Sequence, residues 1–235
     1  GRYGRLEGRG AGTGAQPQVR LGGRSALRMR IKGLMRTHNH WTDISPADRN
    51  ASVAMGNFDG VHLGHQAVIA KAAVAGRPLG IVTFEPHPRQ YFAPAAPAFR
   101  LMNTEARAHR LEKLGVEQLY HLPFDGRLAS MTAETFVTDV LVKGLGVSHV
   151  TVGADFCFGQ GRKGTAETLR AMGASHGFGV TVAELVKFQG LEVSSTNIRS
   201  ALAEGRPRDA AEMLGHWHRI EGAIIHGEKR GRALG

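Results

Sequence analysis

A chain of 235 residues, 42% of them apolar and with a mean hydropathy of −0.21, can bury one ordinary domain plus a fragment, or two small ones. No run in it approaches the ~18 apolar residues of a membrane span, and its single cysteine, Cys157, excludes an internal disulfide and any multi-cysteine metal site. The formal charge of +10 suggests nucleic acid until it is located: residues 1–36 hold nine Lys/Arg and one Glu, whereas residues 37–235 hold 21 Lys/Arg against 19 Asp/Glu, so the body is nearly neutral and the case for nucleic acid is weak.

The basic excess belongs to a Gly/Arg-rich leader, residues 1–28, expected to be disordered because it lacks the apolar residues that offset ordering entropy. It could be read as an RNA-binding arm or an organelle-targeting peptide. Without an amphipathic period or an apolar h-region, the favoured reading is a stretch upstream of a start at Met29 or Met35.

Strands and helices then alternate. "SVAMG" (Ser52–Gly56) reads as a buried strand and Gly64 to Ala75 as a helix; "LGIVTF" (Leu79–Phe84) is a second strand, ended by the Pro-rich "EPHPRQYFAPAAPA". A helix capped by Asn103 ends at Gly115, and "EQLYHLPF" follows as a strand. Thr132 caps a helix that closes near Gly144 and Gly146; "SHVTVGADF" is a strand, Thr165 to His176 a helix, and "GVTVAELV" a strand. "SSTNIRSALAEG" and "PRDAAEMLG" read as two short helices, the second with Pro207 in its first turn. The pattern predicts an α/β, Rossmann-like fold: a parallel sheet with helices on both faces and ligands at the carboxyl ends of its strands. The stretch from His216 to Gly235 alternates like a strand and then turns basic and Gly-rich, as if it began a second domain.

The chemistry concentrates in "GNFDGVHLGH". A helix N-terminus offers unpaired N–H groups and the positive end of its dipole, so it attracts anions. His62 and His65 can place ring donors on the same phosphate oxygens, and Gly64 removes a side chain where a phosphate would approach the backbone. No Lys follows at P-loop spacing, so the arrangement suits stabilisation of a charged transition state at phosphorus rather than a Walker-type cradle. A helix start with incidental histidines explains the motif alone equally well. The Ser/Thr/Arg cluster "SSTNIR" at another helix start shifts the balance: its hydroxyls could cap a helix, and Arg199 could also reach phosphates.

"GNFDGVHLGH", "VTFEPHPR", "VGADFCFGQGRKG" and "SSTNIR" occur in the order seen in the prokaryotic bifunctional riboflavin kinase/FAD synthetase family, and "IEGAIIHGEKRGRALG" resembles the opening of that family's kinase domain. The resemblance covers about Met29 to Gly235. It implies the nucleotidyltransferase superfamily, with residues 29–215 as an FMN adenylyltransferase domain and 216–235 as the first strand of a truncated β-barrel kinase domain, itself expected to be inactive. FMN would attack the α-phosphorus of ATP with Mg²⁺, giving FAD and pyrophosphate. The resemblance makes His62 and His65 catalytic. It places Gly56, Asn57, Phe58, Asp59, Gly64, Ser195, Thr196 and Arg199 on ATP, and Phe84, Pro86, His87, Pro88, Arg89 and Asp155 on the flavin side.

Asp59-Gly60 is equally an ordinary turn pair, Pro86 and Pro88 stiffen a loop in any case, and Cys157, where the family often has a basic residue, is expected to pack rather than react. The other histidines show no metal-ligand spacing, so no protein-held metal is expected. The expected partners are small molecules in the cytoplasm, with neither nucleic acid nor membrane. Three alternatives stay open: a nucleotidyltransferase acting on another phosphate acceptor, a basic RNA-binding protein using the leader, and a catalytically idle flavin-binding protein.

Overall fold

The computed structural model describes residues 34–222; the leader and residues 223–235 of the expected second-domain start lie outside the described residues. In chain order the elements are β1 (Arg36–His38), a 3₁₀ turn (Pro46–Asp48), β2 (Ser52–Met55), α1 (Leu63–Ala72), β3 (Leu79–Glu85), α2 (Pro88–Phe92), α3 (Thr104–Lys113), β4 (Gln118–Pro123) and α4 (Gly126–Ala129). There follow α5 (Ala133–Thr135), which widens into a π-helix over Phe136–Leu145, then β5 (His149–Gly153), β6 (Cys157–Phe158), β7 (Gly164–Thr165), α6 (Ala166–His176), β8 (Gly179–Ala183), β9 (Lys187–Phe188), β10 (Leu191–Glu192), α7 (Ser195–Ala203) and α8 (Pro207–Leu214).

Six strands form one sheet in the order β1-β4-β3-β2-β5-β8, every pairing parallel. Alternation along the strands separates two cores. Val53, Met55, Val82, Phe84, Tyr120 and Leu122 pack with the π-helix residues Phe136, Val140 and Leu141. Ala54, Ile81 and Leu119 join instead the cluster of Val68 and Ile69 from α1 and Leu111 from α3. A third cluster joins α7 and α8 to Leu101. The parallel sheet with a helical layer on each face is therefore as expected.

Local chemistry explains most boundaries. Asn103, Thr132, Thr165 and Ser194 each accept a backbone N–H three residues on, so four helices start where a cap-type residue stands. Gly146, at φ +60°, closes the π-helix in the left-handed conformation that glycine adopts without a steric penalty. The differences from the sequence reading have physical causes. Helix α1 begins at Leu63 because His62 itself is the cap. The Pro-rich loop contains the short helix α2, with His87 as its cap and Pro88 in its first turn. Strand β5 stops at Gly153, and the strand expected over Gly179–Val186 stops at Ala183. Strand β1 is three polar residues that pair with β4 at the sheet edge, too short for any apolar pattern. Residues 216–222 have no regular secondary structure, so within the described residues the expected strand after His216 is not formed.

The π-helix lies against the segment leading into β2. A Cβ on Gly144 would meet the Trp41 carbonyl oxygen at 2.7 Å and the Asp139 carbonyl oxygen at 3.0 Å. Gly144→Ala is expected to destabilise the fold by about 1–3 kcal/mol, the usual cost of overpacking against backbone, read as a lowered Tm in calorimetry.

Candidate active site

In the parallel sheet the chain passes from β2 to β3 on one side, while β5 pairs with β2 on the other. The carboxyl ends of β2 and β5 therefore border the point where strand order reverses, the usual ligand crevice of an open α/β sheet. The loop Gly56–Val61 leaves β2 there. Its path is unusual: Phe58 and Val61 have φ of +52° and +43°, and Gly60 of +85°. A non-glycine residue in the left-handed region costs on the order of 1–3 kcal/mol and persists only where its surroundings hold it. Here the Gly56 N–H donates to the Val82 carbonyl (3.1 Å), the Asn57 carbonyl accepts from Thr83 Oγ1 (3.3 Å) and Arg107 Nη1 (3.1 Å), and Phe58 is 1% exposed. A Cβ on Gly60 would meet Leu101 Cδ1 at 2.8 Å, so glycine is required twice over.

This loop delivers His62 to the N-terminus of α1. His62 Nδ1 accepts the His65 backbone N–H (3.2 Å), so in the neutral ring the proton sits on Nε2, a donor. The two imidazoles stack with centroids 3.6 Å apart and 17° between planes, and Phe58 lies 5.1 Å from His65. Burial pushes His62 down to about 4, with Asp59 opposing and Arg199 assisting. Burial, then His62 and Arg107, holds His65 well below the ordinary histidine range. Both rings are thus neutral N–H donors at pH 7. Nδ1 of His65 is buried with no partner among the described residues. A Cβ on Gly64 would lie 3.1 Å from the His62 ring and 3.2 Å from the Val193 carbonyl oxygen, so a side chain here would press on the histidine.

Asp59 is 3% exposed, and both carboxylate oxygens are engaged. Oδ1 accepts the backbone N–H of Leu101 (2.8 Å) and Met102 (3.2 Å), and Oδ2 accepts Arg199 Nη2 (2.7 Å). Its carbonyl accepts the Ser195 hydroxyl (2.9 Å). The α1 loop and the start of α7 are therefore joined, with Asp59 as the joint. Thr196 is exposed at the α7 start, and its hydroxyl has no partner among the described residues. Arg199 also donates Nε to the Phe99 carbonyl (2.6 Å), and its guanidinium stands 5.2 Å from the Phe99 ring.

The other predicted group begins in β3 with Phe84 and ends past β5 with Asp155. Phe84 is buried in the core between Phe124 and Phe136. Pro86, His87 and Pro88 are half-buried, and Arg89 is exposed with its guanidinium 4.8 Å from the Phe99 ring. His87 accepts the Arg89 N–H through Nδ1 (3.0 Å); burial first, with Asp59 opposing and Arg100, Arg199 and Arg107 assisting, takes it down to about 4. Asp155 is exposed just past β5. Cys157 is half-buried and directs its thiol to the Asp155 carbonyl (3.7 Å).

Several residues had no signal in the motifs. Arg107, on α3 and 4% exposed, and Arg100 both pair with Glu85, whose carboxylate is held far below its ordinary range against the opposing effect of burial by bonds to His121 and Arg100 and by the charge of the two arginines. An aromatic series runs from Phe156 through Phe158, Phe136, Phe84 and Phe124 to Phe92, neighbouring centroids 5.7–6.3 Å apart. Phe92 is 68% exposed at its end. An open groove of about 410 Å³ is lined by Arg89, Phe99, Arg199, Leu202 and His218 among others. His216 and His218, in which the sequence shows no metal-ligand spacing, bond the carbonyls of Gly60 (3.1 Å) and Leu101 (3.2 Å). Glycine and histidine spacing marks the α1 loop; nothing local marks an arginine that reaches it from α3.

Two outcomes follow from this geometry. Between pH 6.5 and 4 the unfolded chain protonates at position 62 and the folded chain does not, so stability falls as pH is lowered, by about 3 kcal/mol for this group. His62→Asn, which keeps a cap acceptor without the titration, is expected to lose less stability over that window by about that amount, measured by urea unfolding at each pH. Asp59→Ala removes the buried partner of Arg199 and of two N–H groups; it is expected to cost about 3–5 kcal/mol, read in the same assay.

A family model described as FAD synthetase matches residues 44–197. Relatives named bifunctional riboflavin kinase/FMN adenylyltransferase include one from Pseudomonas fluorescens, 42% identical over 87% of this chain and 65% of its own length. Another, from Escherichia coli K12, is 37% identical over 82% of this chain and 63% of its own length. The chain thus spans slightly under two thirds of these relatives. A crystal structure described as a macrolide-efflux protein from Streptococcus pneumoniae superposes with a TM-score of 0.72 at 31% identity, over 85% of this chain and 66% of that one. Among the described residues no helix is long and apolar enough to cross a membrane. With the family model matching well over half of its length, the chain belongs to the FAD synthetase family.

Proposed function

We propose that residues 29–215 transfer AMP from ATP to the phosphate of FMN, releasing pyrophosphate and forming FAD. The observation that carries this reading is the stacked, neutral His62–His65 pair at the N-terminus of α1, on the strand-order reversal and three residues after Asp59, whose carboxylate holds Arg199. Neutral imidazoles donate N–H to phosphate oxygens. They do so more strongly as negative charge builds on the five-coordinate α-phosphorus, which is differential stabilisation of the transition state.

The chemistry needs little else. An FMN phosphate oxygen forms the new bond to the α-phosphorus, the bond to the bridging oxygen breaks in line, and the pyrophosphate leaves with that electron pair. The attacking phosphate is already ionised, so no general base is required, and positioning carries much of the rate. Gly56 and Asn57 supply loop backbone beneath the nucleotide, and Thr196 and Arg199 face its phosphates from α7. Arg89 and the groove beside Phe99 add positive charge and an aromatic face. The Phe92–Phe124 end of the aromatic series offers the flavin ring a stacking surface, near His87 at the start of the same helix α2; Asp155 adjoins Phe156 at the other end of the series.

ATP would arrive as its magnesium complex. No cluster of three or more His, Cys, Asp or Glu suited to a metal occurs among the described residues; the Asp59 oxygens are spent on protein donors, and Glu85 is held by Arg100 and Arg107. The ion would therefore be held by phosphate oxygens and water. The partners are small molecules, the setting cytoplasmic, and no riboflavin kinase chemistry is assigned to the described residues.

Incubating the full chain with FMN, ATP and Mg²⁺ tests this. FAD and pyrophosphate should appear in equal amounts. His62→Ala and His65→Ala should each raise the barrier by about 2–4 kcal/mol. A folded protein that makes no FAD, or near-native turnover in both variants, contradicts the reading.

A further inference from the structure

Arg107 sits on α3, outside every motif that marks the site, and is 4% exposed. One arm of its guanidinium, Nη1, donates to the Asn57 carbonyl at 3.1 Å. The other, Nη2, lies 3.3 Å from Glu85 Oε2 at the end of β3 and 3.1 Å from His121 Nε2 on β4. A single side chain thus ties the three adjacent strands β2, β3 and β4 together at their carboxyl ends. Burying a guanidinium is costly unless its donors are matched, and a buried ion pair replaced whole by apolar side chains often leaves a fold no less stable. What only the fork supplies is a fixed position for the Asn57 carbonyl. Asn57 immediately precedes Phe58, the first left-handed residue of the loop that turns His62 onto α1.

We propose that Arg107 is a positioning residue for adenylyl transfer: by holding the Asn57 carbonyl against the ends of β3 and β4, it fixes the loop that presents His62 and His65. The inference rests on the adenylyl-transfer reading for its kinetic consequence, but not for its structural one. Arg107 touches no reacting atom. Its effect falls on how well the histidines are aimed, hence on kcat rather than on ground-state affinity. Arg107 also carries one of the charges that keep His65 neutral.

Arg107→Met and Arg107→Lys in the full chain test this, each checked for folding by circular dichroism and Tm. FAD formation gives kcat and KM, and ¹⁵N NMR of the histidine side chains gives the titration of His65. The Met variant should lose at least tenfold in kcat with both KM values within about threefold of the parent. The Lys variant should recover part of that loss. His65 should titrate at higher pH in the Met variant than in the parent. A folded Met variant with parental kcat and an unaltered His65 titration overturns the proposal. If the Met variant does not fold, the Lys variant decides: a kcat reduced threefold or more at parental Tm supports the role, and parental kcat refutes it. If the parent itself makes no FAD, the adenylyl-transfer reading fails, and the NMR comparison still decides whether Arg107 governs the histidine site.

Discussion

The buried carboxylate of Asp59 is the contact on which the site depends. It belongs to the loop after β2, yet its oxygens are taken by the turn at Leu101–Met102 and by Arg199 of α7, while its carbonyl holds Ser195. Three segments distant in sequence meet at one residue that reaches almost no solvent. Burying a carboxylate is costly unless it is paired; with two backbone N–H groups and a guanidinium this one is matched donor for acceptor. The same matching fixes where Arg199 stands relative to α1. Asp59 was expected to touch the nucleotide as part of its motif; in the folded chain both its carboxylate oxygens are engaged by protein donors.

Charge is distributed around the crevice in a consistent way. The two carboxylates nearest the loop and the β3 end, Asp59 and Glu85, are each held by arginine, and the histidines are kept neutral by burial. Arg89 stands exposed over Phe99 without a carboxylate partner among the described residues. The surplus is positive and sits at the carboxyl ends of the strands, where a polyphosphate would gain from it. In the proposed reaction, neutral imidazoles beside arginines would divide the labour: fixed charge attracts the anion, and directional N–H donors respond to the charge that develops. An imidazolium pair stacked at 3.6 Å would repel itself, so neutrality is also what permits the stacking.

The sequence revealed what is local and periodic. The parallel architecture followed from apolar runs alternating with capped helices, and Asn103, Thr132, Thr165 and Ser194 mark their helix starts by a mechanism that needs no tertiary information. The spacing His62–Gly64–His65 located the α1 terminus, though the glycine answers first to the His62 ring and the Val193 carbonyl. What escaped was either too short or too distant. Strand β1 and the pairs β6–β7 and β9–β10 have two or three residues per strand, below any period. Helix α2 was hidden by the prolines that surround its start. Arg107, Arg100 and Phe99 stand far along the chain from the loop they serve, and His216 and His218 farther still, so only the folded chain shows that they converge. The aromatic series from Phe156 to Phe92 likewise draws on separate stretches of chain.

The central proposal is that the loop after β2 and the start of α7 form one phosphate-binding unit. Its most direct test is ¹⁵N–¹H NMR of the full chain titrated with α,β-methylene-ATP and Mg²⁺, following the backbone amides of Gly56–His65 and of Ser195–Arg199. Both sets are predicted to shift together with a single Kd. Shifts confined to one segment, or two separable binding curves, would contradict it.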